Sequence, residues 1–246
     1  MIIAAFDLET TGLDKHTDRV IEIGVALYST GHKRFLDSVG QLVKSDVAVS
    51  SKITKITGIQ QAAVDHFGYE EDNALTTVLD FIKQADAVIG HNIRSFDWPF
   101  LENWAKRKGM SVDNKLVVDT FEDIPGVLPE KLITMCANAG FLLADSHSAL
   151  ADAQGSLKLA VHYGIDLVVE RAKIPMVIVQ SHAPRTDSNS ENKEFKFRWA
   201  PAPYKIWWRS VKESDVEELA KEVPFSISVL DKSVTVDQLR GQTKSA

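Results

Sequence analysis

Hydrophobic positions fall into short runs at the start of the chain and into helical spacing further along. Residues 2–6 form a brief apolar run, and Val20, Ile21, Ile23, Val25 and Leu27 alternate in part with polar neighbours. Short runs and a period of two predict strands. A third strand is expected over 35–43, with Gly12 and Gly31 at the turns. From about residue 70 to 84 the spacing changes to one helical face, Leu75, Val78, Leu79 and Ile82. Residues 87–90 then read as a short buried strand and 116–118 as another. Between them, Phe96, Phe100 and Trp104 stand four apart in a helix predicted over 96–108. Two further helices are expected at 129–138 and 148–163. Strands first, then helix and strand in turn, is the order of an α/β domain with a mixed sheet.

Periodicity is lost at residues 181–193, which are polar and contain Pro, Ser and Asn. That composition predicts a linker, dividing a larger domain (1–180) from a small C-terminal α+β domain (194–246). In the latter, strands are expected at 194–199 and 205–211 around a Pro-rich turn. A helix over 214–222, with Ser214 as its cap, and a strand over 225–230 follow.

Composition narrows the class. Apolar residues make up 44% and charged residues 25% of the 246, which excludes a mainly disordered or collagen-like chain. No apolar run reaches membrane-spanning length, and the apolar start is cut short by Asp7 and Glu9, unlike a signal peptide. Cys136 is the single cysteine, so no internal disulfide forms, and a cytoplasmic protein is expected. The net charge of −6 argues against binding a polyanion by bulk charge. Residues 184–212 depart from this, with 7 Lys+Arg against 3 Asp+Glu, leaving −10 for the rest. Contact with a polyanion should therefore be local or bridged by metal ions.

Three segments carry candidate chemistry. Asp7 and Glu9 end an apolar strand and, two apart, project to one face. Neighbouring carboxylates repel, and burial adds to the cost; a divalent cation between them relieves both, whereas a solvated strand end needs none. Asp97 stands where a strand has ended and a helix begins, a place equally suited to an N-cap, with Pro99 in the first turn. Asp152 lies in the first turns of a helix whose apolar face is Leu150, Ala153, Leu157, Ala160 and Val161, with His147 just before it. An acid there also suits the helix dipole. Together the four acids form an oxygen-rich set that suits Mg²⁺ or Mn²⁺, and His147 offers a base that titrates near neutrality.

In this order the segments FDLETTG (6–12), GHN with the following Phe96-Asp97 (90–97), and HSALADA (147–153) resemble the three motifs of the DEDD exonuclease superfamily. A His five residues before the last Asp is similar to its DEDDh branch, which includes RNase T and bacterial polymerase proofreading subunits. The resemblance spans roughly residues 1–165, with supporting matches at 20–24, 56–59 and 118–120. It implies an RNase H-like fold, a five-stranded mixed sheet flanked by helices. It also implies 3′→5′ hydrolysis of single-stranded DNA, with RNA ends second, releasing nucleoside 5′-monophosphates. By the same resemblance, Asp7, Glu9, Asp97 and Asp152 hold two Mg²⁺ ions, for which Mn²⁺ substitutes, and His147 is the general base. Thr10, Thr11, Thr57, Ile59 and Asn92 then contact the terminal nucleotide. Thr57 departs from the family, where many members carry a stacking His.

Phe195, Phe197, Trp199, Trp207 and Trp208 are interleaved with Lys and Arg. They read either as the core of a very small domain or as a surface that stacks bases and holds phosphates. Two alternatives stand beside the free exonuclease. One is a proofreading subunit docked on a polymerase through the C-terminal segment; the other is a non-catalytic nucleic-acid-binding module. A membrane partner is not expected.

Overall fold

The computed structural model describes residues 1–143, 147–184 and 189–241, which form two compact units. The larger comprises Met1–Pro125 and Glu130–Ala172. It opens with three strands, β1 (Ile2–Thr10), β2 (Val20–Ser29) and β3 (Arg34–Leu42), paired antiparallel. Helices α1 (Ser51–Thr57), α2 (Gln61–Phe67) and α3 (Glu71–Gln84) follow, then β4 (Ala87–Gly90), α4 (Asp97–Arg107) and β5 (Leu116–Asp119). Helices α5 (Leu132–Asn138), α6 (Ala149–His162) and α7 (Ile165–Ala172) complete the unit. The strand order is β3-β2-β1-β4-β5, with β4 parallel to β1 and β5 parallel to β4. This is the five-stranded mixed sheet flanked by helices that the motifs implied.

Alternation along β1 sorts its side chains between two layers. Ala4, Phe6 and Leu8 enter a core shared with Val78 and Ile82 of α3 and with Leu101 and Trp104 of α4. Trp104 is fully buried, as are Phe6 and Leu101. Asp7 and Glu9 therefore point to the opposite face, which α6 covers by packing on β1, β2 and β4. The first strand runs four residues beyond the expected apolar run, because pairing with β2 continues through Asp7↔Gly24 and Glu9↔Glu22. Helices α1, α2 and α7 were not expected. The first buries none of its residues and the second only Val64, so neither leaves a full hydrophobic stripe in the sequence.

The smaller unit comprises Gly126–Pro129 and Lys173–Ala246. Its strands are β6 (Met176–Ser181), β7 (Arg198–Trp199), β8 (Trp207–Lys212) and β9 (Ile227–Val229), antiparallel in the order β7-β8-β6-β9. Helix α8 (Ser190–Glu194) precedes β7. A 3₁₀ turn (Glu213–Asp215) leads into α9 (Val216–Glu222), and α10 (Val236–Leu239) closes the described chain. One small core joins Val179, Phe197, Val211, Leu219 and Val223; another joins Ala200, Trp208 and Leu239.

Four expectations shift here. Residues 176–180 were assigned to the large domain and Ser181 to the linker, but β6 is a central strand of the small sheet, and the division falls after Ala172. Of the expected linker 181–193, residues 185–188 lie outside the described residues, while Ser190–Lys193 belong to α8. The expected strand 194–199 shortens to two residues. The helix expected from Ser214 begins at Val216, the Ser214 hydroxyl bonding the Asp215 carboxylate instead (2.8 Å).

Candidate active site

The site is assembled around the end of β1. Strand β4 pairs with β1 only at Ile3, Ala4 and Ala5, and ends at Gly90. Further along β1 the Leu8 N–H has lost that ladder, and the Asp97 Oδ1 accepts it at 3.0 Å. The carboxylate that opens α4 thus completes the hydrogen bonding of the strand between Asp7 and Glu9. Asp97 is 3% exposed. It is no simple helix cap: the N-cap residue of α4 is Phe96, and no side chain caps it.

The other half of the site comes from the start of α6. Gly24 lies opposite Asp7 across β2, and Gly40 lies opposite Gly24 across β3. A Cβ at Gly24 would collide with the Ala149 backbone, and one at Gly40 would press on the Leu150 side chain. This pair of glycines lets the first turn of α6 descend onto the sheet beside Asp7. Glu22 then fastens it, its Oε2 accepting the Ala149 N–H at 3.1 Å. At the same end, the His147 N–H donates to Asp152 Oδ2 (3.2 Å), with His147 at φ 71. Ligand atoms of Glu9, His147 and Asp152 lie within 4.8 Å of one another.

Electrostatics mark these acids as a set. Burial, followed by the like charges of Asp97, Asp152, Glu9 and Glu22, holds Asp7 well above the usual carboxyl range. Burial, then Glu22, Asp152 and Asp97, pushes Glu9 up to about 8. Burial raises Asp97 to about 8 against the pull of the Leu8 N–H. Burial also raises Glu22 and Asp152, the latter offset by His147. Asp152 Oδ1 is buried and, among the described residues, has no hydrogen-bond partner. An orphaned carboxylate oxygen among mutually repelling acids is the environment a divalent cation satisfies. The oxygen-rich donor set around Glu9 and Asp152 fits such an ion.

Two residue groups to which the sequence reading gave no role support the site. Glu22 is one of them; in the sequence it stands within the supporting match at 20–24. The other centres on Asp119 at the end of β5, within the match at 118–120. Its carboxylate accepts the N–H groups of Asn92 (2.7 Å), Arg94 (3.1 Å) and Phe121 (3.0 Å). Burial pushes it up to about 7, with Glu122 raising it further and Arg94 and two of these N–H bonds drawing it back. The Arg94 guanidinium grips Asp123 with two bonds (3.0 and 2.7 Å) and Val117 O with a third (2.7 Å). Together they fix the turn that carries the chain from Gly90 to Asp97. His91 within it donates from Nε2 to Glu130 O (2.9 Å) and sits beside the Thr120 hydroxyl (2.9 Å). Burial lowers it to about 4, so it stays neutral and structural.

The five residues expected at the terminal nucleotide each have a local task. The Thr10 hydroxyl donates to Gly12 O (2.6 Å). The Thr11 hydroxyl donates to Asp18 and accepts the Arg19 N–H, closing the 11–19 loop. Thr57 donates to Ile53 O and accepts the Ile59 N–H, which ties down the turn after α1. Ile59 packs with Ile21 and Val64, and Asn92 holds a left-handed backbone, φ 60, against Asp119.

A five-stranded mixed sheet with acids gathered at one end of its first strand defines an RNase H-like nuclease domain. Residues 4–160 match the RNase T family, described as exonuclease, and the chain belongs to that family. The PolC-type DNA polymerase III of Caldanaerobacter subterraneus subsp. tengcongensis is 32% identical over 160 residues, 63% of this chain and 11% of the polymerase. The 3′-5′ exonuclease DinG of Staphylococcus saprophyticus is 26% identical over 164 residues, 64% of this chain and 17% of that protein. The chain thus spans between a tenth and a fifth of the length of these relatives. E. coli Exonuclease I, solved with a dT13 oligonucleotide, shares the fold with a TM-score of 0.59 and 17% identity, over 74% of this chain and 48% of that one. The nuclease domain of 3′hExo, a DEDDh family member bound to rAMP, shares it with a TM-score of 0.56 and 19% identity, over 67% and 92%. Among the described residues no helix is long and apolar enough to cross a membrane.

Proposed function

We propose that this chain is a metal-dependent 3′→5′ exonuclease that releases nucleoside 5′-monophosphates from single-stranded DNA, and from RNA ends as a second substrate. The observation that carries the reading is the grouping of Glu9, His147 and Asp152 within 4.8 Å, with one buried Asp152 oxygen left without a partner. In this reading Asp7, Glu9, Asp97 and Asp152 hold two Mg²⁺ ions, for which Mn²⁺ substitutes. Such ions supply charge stabilisation at the scissile phosphate. His147 accepts the proton of the attacking water, since its ring stands beside Glu9 and Asp152 at the exposed mouth of the site. The Asp152 carboxylate, held by the His147 N–H, keeps that turn in place. Thr10, Thr11, Thr57, Ile59 and Asn92 form the wall for the terminal nucleotide, their backbones fixed by the bonds described above. A nucleic-acid substrate and a single buried thiol suit the cytoplasm.

The polymerase identity of the PolC-type relative favours a second reading, a proofreading domain working beside a polymerase. The small C-terminal unit would then hold the strand or the partner. Purified chain with Mg²⁺, given DNA and RNA oligomers labelled at the 3′ or the 5′ end, tests the first reading. Loss of the 3′ label as mononucleotide supports it. Loss of the 5′ label first, or binding without cleavage, points to other polarity or to a non-catalytic module. Faster removal of a mismatched than of a paired 3′ nucleotide from a primer-template supports proofreading.

A further inference from the structure

The aromatic residues of the C-terminal unit differ in exposure. Phe197 and Trp208 are 3% and 2% exposed and belong to two different cores. Trp199 is 45% exposed on β7, which lies at the edge of the sheet. It pairs across the strands with Trp207, their ring centroids 5.6 Å apart. Trp207 in turn packs against the core of Val179, Phe197 and Val211. The exposed indole is thereby backed by a second one anchored in the fold, and presents a pre-organised flat face to solvent.

Basic residues gather in the hairpin sequence. Residues 195–212 contain five Lys+Arg and no Asp or Glu, although Glu194 and Glu213 flank the segment and Lys212 is buried with its ammonium on Ile174 O. Arg198 and Lys205 are exposed. Lys196 and Lys205, one before each strand of the hairpin, adopt left-handed backbones, φ 60 and 53, where Gly or Asn is less strained. A flat aromatic surface set among cations suits a polymer with stackable bases and a phosphate backbone.

We propose that the β7–β8 hairpin is a single-strand nucleic-acid binding site in which Trp199 stacks on a base and the hairpin's cations hold the adjoining phosphates. The nuclease reading supplies the identity of the polymer, and the site deepens that reading by giving the chain a grip outside its catalytic acids. The test uses the full chain in EDTA, so that no strand is cut, with fluorescein-labelled oligo-dT and oligo-U of about 20 nucleotides followed by anisotropy. Trp199→Ala should weaken both by ~5–10-fold, the lower range for loss of one stacked base, and Trp199→Phe should stay within ~2-fold of wild type. Lys205→Ala, at an exposed turn, should reduce the log–log salt slope by about 0.7 and gives a readout independent of the indole. Release of nucleotide from a dinucleotide in Mg²⁺ should be unchanged in all three. Wild-type affinity of Trp199→Ala together with an unaltered salt slope of Lys205→Ala overturns the proposal, and capture of a protein partner lost in those same variants would replace it. Failure of the nuclease reading shows separately, as no nucleotide release from any oligomer while strand binding in EDTA persists.

Discussion

The Glu22 carboxylate reaches across 127 residues of sequence to accept the Ala149 N–H at 3.1 Å, while its backbone stands opposite Glu9 on the neighbouring strand. One residue thus links both halves of the acidic cluster. Glu22→Ala should lower nucleotide release by at least ~10-fold, because the turn carrying His147 and Asp152 loses its tether. A charged hydrogen bond contributes about 1.5–3 kcal/mol, but relief of repulsion with Glu9 offsets part of it, so the melting temperature should move little. Glu22→Gln keeps an acceptor and should recover most of the rate. A Gln variant as slow as the Ala variant, with both folded, would contradict the tether.

Asp7 is buried among four like charges, and its removal should separate activity from stability. Asp7→Ala should release no nucleotide above background and melt at the same or a higher temperature than wild type in EDTA. Near-normal turnover by the folded variant would remove Asp7 from the metal-holding set.

Stability should depend on pH in a direction set by the raised carboxyls. Glu9 and Asp97 titrate at about 8 in the fold, whereas unfolded carboxyls titrate at about 4. Between those values the folded chain retains protons that the unfolded chain has released, so stability falls as pH rises from about 4 to about 8 and levels off above. Divalent ions compete with those protons, so the Mn²⁺-induced rise in melting temperature should grow between about pH 6 and 8. Thermal scans in EDTA and in Mn²⁺ across this range check both. A metal-free melting temperature that climbs steadily with pH would fail the prediction.

His147→Ala should cut the rate by ~10²–10⁴-fold, the range of general-base catalysis, while the Mn²⁺-induced thermal shift survives. Since its ring lies within 4.8 Å of the Glu9 and Asp152 oxygens, a lost thermal shift in this variant would make it a ligand instead of a base.

Gly24→Ala tests the close approach of α6. With the Ala149 backbone in the way, the helix must lift from the sheet, at a cost typical of overpacking, ~1–3 kcal/mol. The melting temperature and the rate should both fall. Normal values for both would show that the glycine row is not what seats the helix.

Most of the catalytic unit is legible because its elements are long and periodic. The burial of Leu75, Val78 and Ile82 in α3, and of Phe100 and Trp104 in α4, follows the apolar spacing. The four acids were visible as acids where apolar elements end. Strand β6 was not expected, and its residues were left with the large domain, because its partners, β8 and β9, lie later in the chain, and pairing at that distance leaves no local pattern. Glu22 was legible as part of the match at 20–24 but was given no role, because a polar residue in an alternating strand reads as solvent-facing; only the register opposite Glu9 gives it a task. Asp119 was legible as part of a matching tripeptide, but its three backbone bonds depend on a turn that the sequence does not draw.

The contact between Asp97 and the Leu8 N–H has a further consequence, for tolerance to insertion. Asp97 is located by a bond to β1 itself, so the length of chain downstream of α4 need not set its position. Residues 109–114, between α4 and β5, are mostly exposed; doubling such a connection costs only about 0.6 kcal/mol. A short polar insert there should leave the rate intact. The same bond makes β1 unforgiving: one extra residue between Phe6 and Asp7 would turn both carboxylates of β1 toward the Phe100 and Trp104 core, and the domain would lose its chemistry and its packing together.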